Sequence, residues 1–195
     1  MFRILKATKD CYITDRVING TRVTDANVGN AGTLDLFKLY NEVRLSGSST
    51  PIELSRILIK FDLGPLRALT GSVFNPGHSS FSATLRLNDV IGGQSTPTNF
   101  KLTLFPLSKS FDEGIGRDIV RFADLDSCNF VTASVESGNV SAWVLSGANA
   151  KGVLGASDID VIASGTLDVD DGVVALFVDQ TFTSGDEDVE MDITH

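Results

Sequence analysis

Two segments alternate in side-chain character with a period of two, and that pattern constrains the fold of this chain more than anything else in it. Over 55–63, Ile57, Ile59, Phe61 and Leu63 fall on one face, with Arg56, Leu58, Lys60 and Asp62 on the other. Over 81–87, Phe81, Ala83, Leu85 and Leu87 oppose Ser82, Thr84 and Arg86. Successive side chains of an extended backbone point to opposite sides, so both segments read as half-buried strands and neither as an amphipathic helix. The Ile57 face is expected to be the buried one. Arg56, Lys60 and Arg86 are expected on the wetted side.

The remaining chain extends this pattern. Eighteen glycines and clusters of Asn, Asp, Ser and Thr recur roughly every 8–12 residues, the punctuation of short strands joined by turns. The expected fold is all-β: an antiparallel β-sandwich, jelly-roll-like, with long loops and at most one or two short helical turns. With 195 residues, 42% of them hydrophobic, and no Pro/Gly/Ser linker, the chain reads as one domain over 1–195. Further strands are expected at 2–7, 11–16, 34–40, 100–107, 159–163 and 173–178. The strand at 100–107 is placed beside 81–87 as a meander, ending at Pro106. The one at 173–178, apolar on both faces, is placed centrally. One helical turn is expected within 62–69, with Pro65 in its first turn, and another at 122–126. A loop at 47–51, a turn at 75–78 and an irregular cover over 111–132, with Trp143 beneath it, complete the reading.

A family resemblance rests on the same residues. The run S-R-x-L-x-K-F-D-L over 55–63, followed by S-A-T-L-R-L over 82–87, resembles the centre of the DNRLRE-type domains, β-sandwich modules similar to carbohydrate-binding modules. Upstream, Asp10-Cys11-Tyr12-Ile13 resembles the opening strand of that family. Asn27-Val28-Gly29 with Thr33-Leu34-Asp35-Leu36 resembles its N-x-G loop and second strand. Downstream, Ser110-Phe111-Asp112-Glu113-Gly114 resembles a W-x-E-G element in which Phe111 replaces Trp. The matches run in consistent order over about residues 1–150. The resemblance implies a β-sandwich of the kind found in tailed-bacteriophage virion proteins, with a structural role for Glu113.

Charge narrows the partners. The chain carries 16 basic and 25 acidic residues, net -9, and after Lys151 it has eleven Asp or Glu and no Lys or Arg. Such a balance does not suit a phosphate backbone, which needs clustered cations. The acidic end reads first as a solvated face, and alternatively as a docking surface for a basic partner or a cation site. Residues 2–7 pass straight into the first strand pattern without a signal-peptide h-region, and no stretch is apolar enough to span a membrane. The expected setting is therefore the virion, with synthesis in a host cytoplasm. The pattern at 189–195 reads as a strand cut short, so the natural chain is expected to continue past His195.

Chemistry-bearing residues are sparse. The two histidines are His78, in an Asn-Pro-Gly turn, and the terminal His195. There is no G-x-S-x-G elbow and no glycine-rich phosphate loop. Asp112 and Glu113 are the one pair worth testing as glycosidase carboxylates; as sequence neighbours they are expected instead to diverge and to accept backbone hydrogen bonds. Asp168, Asp170 and Asp171 offer oxygen ligands for a structural calcium, although Asp-Asp-Gly at 170–172 is also a hairpin turn. Tyr12 and Tyr40 are the only aromatic candidates for a sugar-binding surface, and both are expected to pack on the sheet with the hydroxyl reaching solvent. Cys11 and Cys128 are too few for a disulfide framework and are read as buried thiols; their separation leaves open whether they meet. The expected function is a non-enzymatic structural component of a bacteriophage virion (tail, neck, fibre or capsid decoration) that contacts other virion proteins and copies of itself. The alternative is a carbohydrate-binding module adhering to host polysaccharide. No nucleic-acid partner, membrane or catalytic cofactor is expected.

Overall fold

The computed structural model describes residues 2–40, 52–71, 75–90, 97–117, 127–166 and 172–194. Over these the chain is all-β, with one helical turn. In chain order the strands are β1 (Ala7–Thr14), β2 (Val17–Ile18), β3 (Thr21–Arg22), β4 (Lys38–Tyr40), β5 (Ile52–Phe61), β6 (Thr84–Leu87) and β7 (Phe100–Leu104). They continue as β8 (Thr132–Glu136), β9 (Asn139–Ala142), β10 (Lys151–Val153), β11 (Val161–Gly165), β12 (Val174–Ala175), β13 (Val178–Phe182) and β14 (Val189–Asp192). The turn α1 (Gly64–Arg67) lies where Pro65 allows it, in the first helical turn. Asn75 closes the expected turn at 75–78, its carbonyl accepting from His78 N at 3.1 Å and its Oδ1 from Gly77 N at 3.0 Å. The expected loop at 47–51 and helical turn at 122–126 lie outside the described residues.

The chain divides into two compact units. Unit 1 comprises 1–62, 109–150 and 158–160; unit 2 comprises 63–108, 151–157 and 161–195. In unit 1, β5 is the middle strand of a three-stranded sheet ordered β1-β5-β4. β1 pairs antiparallel with it from Ala7↔Phe61 to Thr14↔Ser55, with one irregularity between Ala7 and Lys9. This single strand replaces the two expected at 2–7 and 11–16. Residues 2–6 are irregular, with Phe2 and Ile4 exposed. Cys11, Tyr12, Ile13 and Thr14 are all buried, so this end of β1 is covered on both faces. The strand expected at 34–40 is confined to β4.

The expected faces of β5 do not hold. Ile57, Ile59 and Phe61 are only partly buried and Leu63 is exposed, whereas Glu53, Ser55 and Leu58 are buried. Arg56 is half-buried: its guanidinium donates to Gly147 O and to Asn149 Oδ1 at 3.0 Å. Burial lowers its pKa from the ordinary value, and the charges of Asp15 and Asp160 partly oppose that shift. Counting apolar side chains failed here because both faces of β5 are used, and the polar residues on them complete the hydrogen bonding of neighbouring loops. Lys60 and Arg86 are exposed, as expected.

In unit 2, β6 keeps the alternation read from the sequence, with Leu85 buried between exposed Thr84 and Arg86. Its partner differs from the expected meander. β6 pairs antiparallel with β14, from Leu87↔Val189 to Thr84↔Asp192, while β7 pairs with β13, from Leu104↔Val178 to Phe100↔Phe182. The two pairs are joined by a side chain: Gln180 on β13 donates from Nε2 to Asp188 O at 2.9 Å and accepts at Oε1 from Glu190 N at 2.7 Å. Periodicity fixes which face a strand buries but not which strand lies beside it, so late segments can take the place of a sequence neighbour. β10 and β11 pair in parallel, and β12 forms the other edge of that sheet. The apolar run at 173–178 is thus no central strand: Val173 is 72% exposed and Phe177 is 39% exposed. Phe100 and Phe182 stack with ring centroids 4.7 Å apart.

Candidate functional site

Most of the motif residues singled out in the sequence lie in unit 1, and several converge on one buried amide. Asn27, fully buried, donates from Nδ2 to Glu113 O at 2.8 Å and to Cys128 O at 2.7 Å. Its Oδ1 accepts from Gly29 N at 3.1 Å and from Gly116 N at 2.9 Å. Two donor hydrogens and two acceptor sites are the full capacity of an asparagine side chain, so this one is saturated. Close approach requires the glycines. A Cβ on Gly29 would lie 1.7 Å from Glu113 O, and one on Gly116 would lie 1.9 Å from Asn27 O.

The carboxylates beside this hub diverge as expected. Glu113 Oε1 accepts from Asp10 N at 2.8 Å, binding the 111–114 segment to β1. Asp112 Oδ2 accepts from Val135 N at 2.8 Å, binding it to β8. Burial, and then the charge of Glu113, raise the pKa of Asp10. The pair braces two strands and does not face across a cleft.

Three further polar anchors were not singled out by sequence reasoning. Asp160, fully buried, accepts from Val144 N at 2.7 Å, Leu145 N at 3.0 Å and Ala150 N at 3.0 Å, with Lys109 Nζ 3.8 Å away. Glu53 accepts from Val17 N at 2.6 Å. Asn129 Oδ1 accepts from Val131 N and Thr132 N, and its carbonyl accepts from Trp143 Nε1 at 2.9 Å. Trp143 is buried beside the irregular 127–131 segment, in keeping with the expected cover. The available signal was an isolated acid inside an apolar run, as in Ile52-Glu53-Leu54 and Ile159-Asp160-Val161.

The sugar-binding candidates do not come together. Tyr12 is buried, its hydroxyl 3.5 Å from Asp35 Oδ2, while Tyr40 is 57% exposed, with Lys38 Nζ 5.1 Å from its ring centroid. Tyr12 pairs with Ile57 and Tyr40 with Ile52. Positions 52 and 57 differ by an odd number, so the two rings stand on opposite faces of the sheet. Asp168, Asp170, Asp171 and His195 lie outside the described residues. His78 is exposed in its turn, paired with Ser80 at 2.7 Å. Among the described residues no three His, Cys, Asp or Glu side chains group so as to hold a metal ion, and no helix is long and apolar enough to cross a membrane.

The β8–β9 hairpin of unit 1 presents an exposed surface. All four residues of β9 are exposed, and Val131, Val140, Val144 and Leu145 present exposed apolar side chains on and beside the hairpin. An open groove of about 440 Å³ runs along it, lined mainly by polar side chains that include Ser110, Ser134, Glu136, Asn139 and Ser141. Hydroxyls, an amide and a carboxylate suit hydrogen bonding to a polar ligand, and no aromatic ring is among the lining residues. Cys11 and Cys128 are both buried free thiols, and they do meet, with the sulfurs 3.1 Å apart.

Comparison with protein-family models, curated proteins and solved structures finds no match.

Proposed function

We propose that the protein is a non-enzymatic structural component of a bacteriophage particle, a rigid β module that joins neighbouring subunits or copies of itself. The observation that carries this reading is the use made of the buried polar side chains of unit 1. Asn27, Glu53 and Asp160 direct their hydrogen-bonding atoms at backbone groups of loops and strand ends, which stiffens a surface without offering a reactive group. The exposed edge of β9 and the apolar side chains around it give that surface something to dock with. The resemblance of the motif order to DNRLRE-type modules found in virion proteins is what supports the virion setting.

Two measurements test it. Light scattering or sedimentation of the purified chain should reveal oligomers or binding to another particle protein, and Val144→Asp with Leu145→Asp should weaken that association at least about tenfold. Mass spectrometry of purified virions should find the chain. A monomer absent from particles would reject the proposal.

The polar groove favours a second reading, adhesion to a polysaccharide. Saturable binding on a glycan array, lost in Asn139→Ala and Glu136→Ala, would support it. A blank array together with particle association would leave the structural role alone.

A further inference from the structure

The sulfurs of Cys11 and Cys128 are 3.1 Å apart, about 1 Å beyond the ~2.05 Å length of an S–S bond. Both ends are held by backbone hydrogen bonds. Cys11 sits in the β1–β5 ladder opposite Leu58. Cys128 is fixed through its own backbone: its N–H donates to Asp112 O at 3.2 Å and its carbonyl accepts from Asn27. The residues are 117 apart in sequence, so a bond between them would close most of unit 1 into one loop. Two free thiols are thus brought into contact from distant points of the chain, with 0% and 1% exposure.

We propose that Cys11 and Cys128 are a disulfide-forming pair that clamps β1 to the Asn27 hub. The oxidant is a small-molecule or protein disulfide. One cysteine thiolate attacks a sulfur of the oxidant, forming a mixed disulfide and expelling one thiolate. The second cysteine thiolate then attacks the protein sulfur of that mixed disulfide, forming the Cys11–Cys128 bond and expelling the other. Two protein thiols lose two electrons, the oxidant disulfide gains them, and the two thiol protons end on the expelled thiolates. Exchange proceeds while unit 1 is open, because in the packed protein both sulfurs are shielded. The hydrogen bond with Cys128, in which the Cys11 thiol donates, and burial also raise the pKa of Cys11, which keeps it protonated and unreactive. The same shielding protects the bond once it has formed.

The test uses the full chain, refolded either with dithiothreitol or in a mixture of reduced and oxidised glutathione, then denatured and alkylated. Refolding in glutathione should give a monomer lighter by two hydrogens that takes up no alkylating agent and yields one crosslinked peptide containing Cys11 and Cys128. Its thermal midpoint should exceed that of the reduced protein by about 5 °C or more. The oxidised protein should resist dithiothreitol until denaturant is added. The double variant Cys11→Ala, Cys128→Ala should show the same midpoint in both buffers, which separates the crosslink from any general effect of glutathione. Two alkylatable thiols after oxidative refolding, glutathione adducts in place of the crosslink, or a crosslink that leaves the midpoint unchanged would each overturn the proposal.

Discussion

The two units place their polar side chains differently. Among the described residues every buried polar or charged side chain, including Asn27, Glu53, Asn129 and Asp160, falls in unit 1, alongside most of the buried apolar ones. Unit 2 buries Leu85, Val161, Phe182 and Met191, and its ionic contacts lie outside, as between Arg86 and Glu190 or Lys101 and Asp179. A hydrogen bond shielded from water leaves an expensive orphan when one partner is removed, whereas an exposed ion pair exchanges its partner for solvent. Polar contacts of similar length should therefore matter far more in unit 1.

The sharpest way to break this contrast is Asn27→Ala. It strands two carbonyls and two amides in a buried site and should cost about 3–5 kcal/mol. The single tryptophan, Trp143, lies in unit 1, so denaturant unfolding followed by its fluorescence reads the effect; a loss below about 1 kcal/mol would remove the distinction between the units. Asp160→Asn comes next. It keeps one acceptor oxygen but turns an N–H donor toward amides that need an acceptor, and should cost about 2–4 kcal/mol by the same measurement.

The unit 2 tests should give less. Glu187 accepts from Ser184 N, Thr183 Oγ1 and Thr183 N, in that order of influence, which holds its pKa well below the usual 4.5. A carboxylate whose pKa falls on folding stabilises fully above its unfolded value and loses that contribution as pH drops through the folded one. The gap in thermal midpoint between the wild type and Glu187→Gln should thus be constant near neutrality and narrow once the pH falls below about 4.5. A gap that widened in acid would show the sign to be wrong. Smallest of all, Arg86→Ala removes a contact whose partners have side chains 73% and 59% exposed, and should shift stability by no more than about 0.5 kcal/mol. A larger loss would mean that surface pairs in unit 2 carry weight comparable to the buried anchors.

Much of the local structure was legible in the chain. Alternation located β5 and β6, Pro65 marked the start of α1, and the N-x-G and E-G elements flagged the loops that meet at Asn27. The pairing was not legible, because β6 and β7 could each satisfy their faces against several strands and take β14 and β13 from the far end of the sequence. The distribution of burial over the two faces of β5 was misread for a related reason. Arg56, Glu53 and Ser55 look like surface residues until the loops that need their hydrogen bonds are in place. Tyr12 and Tyr40 looked equivalent as aromatic candidates, but the register puts them on opposite faces.

By itself the sequence determined that this protein is built of short strands with glycine-dependent turns, since residue periodicity and φ preferences are properties of neighbours along the chain. Only the tertiary structure decided which strands pair, which acids are buried, and that Cys11 and Cys128 touch. Those outcomes depend on residues as many as 117 positions apart meeting within each unit, where an unmatched buried polar group is too costly to keep and each anchor must find its partner.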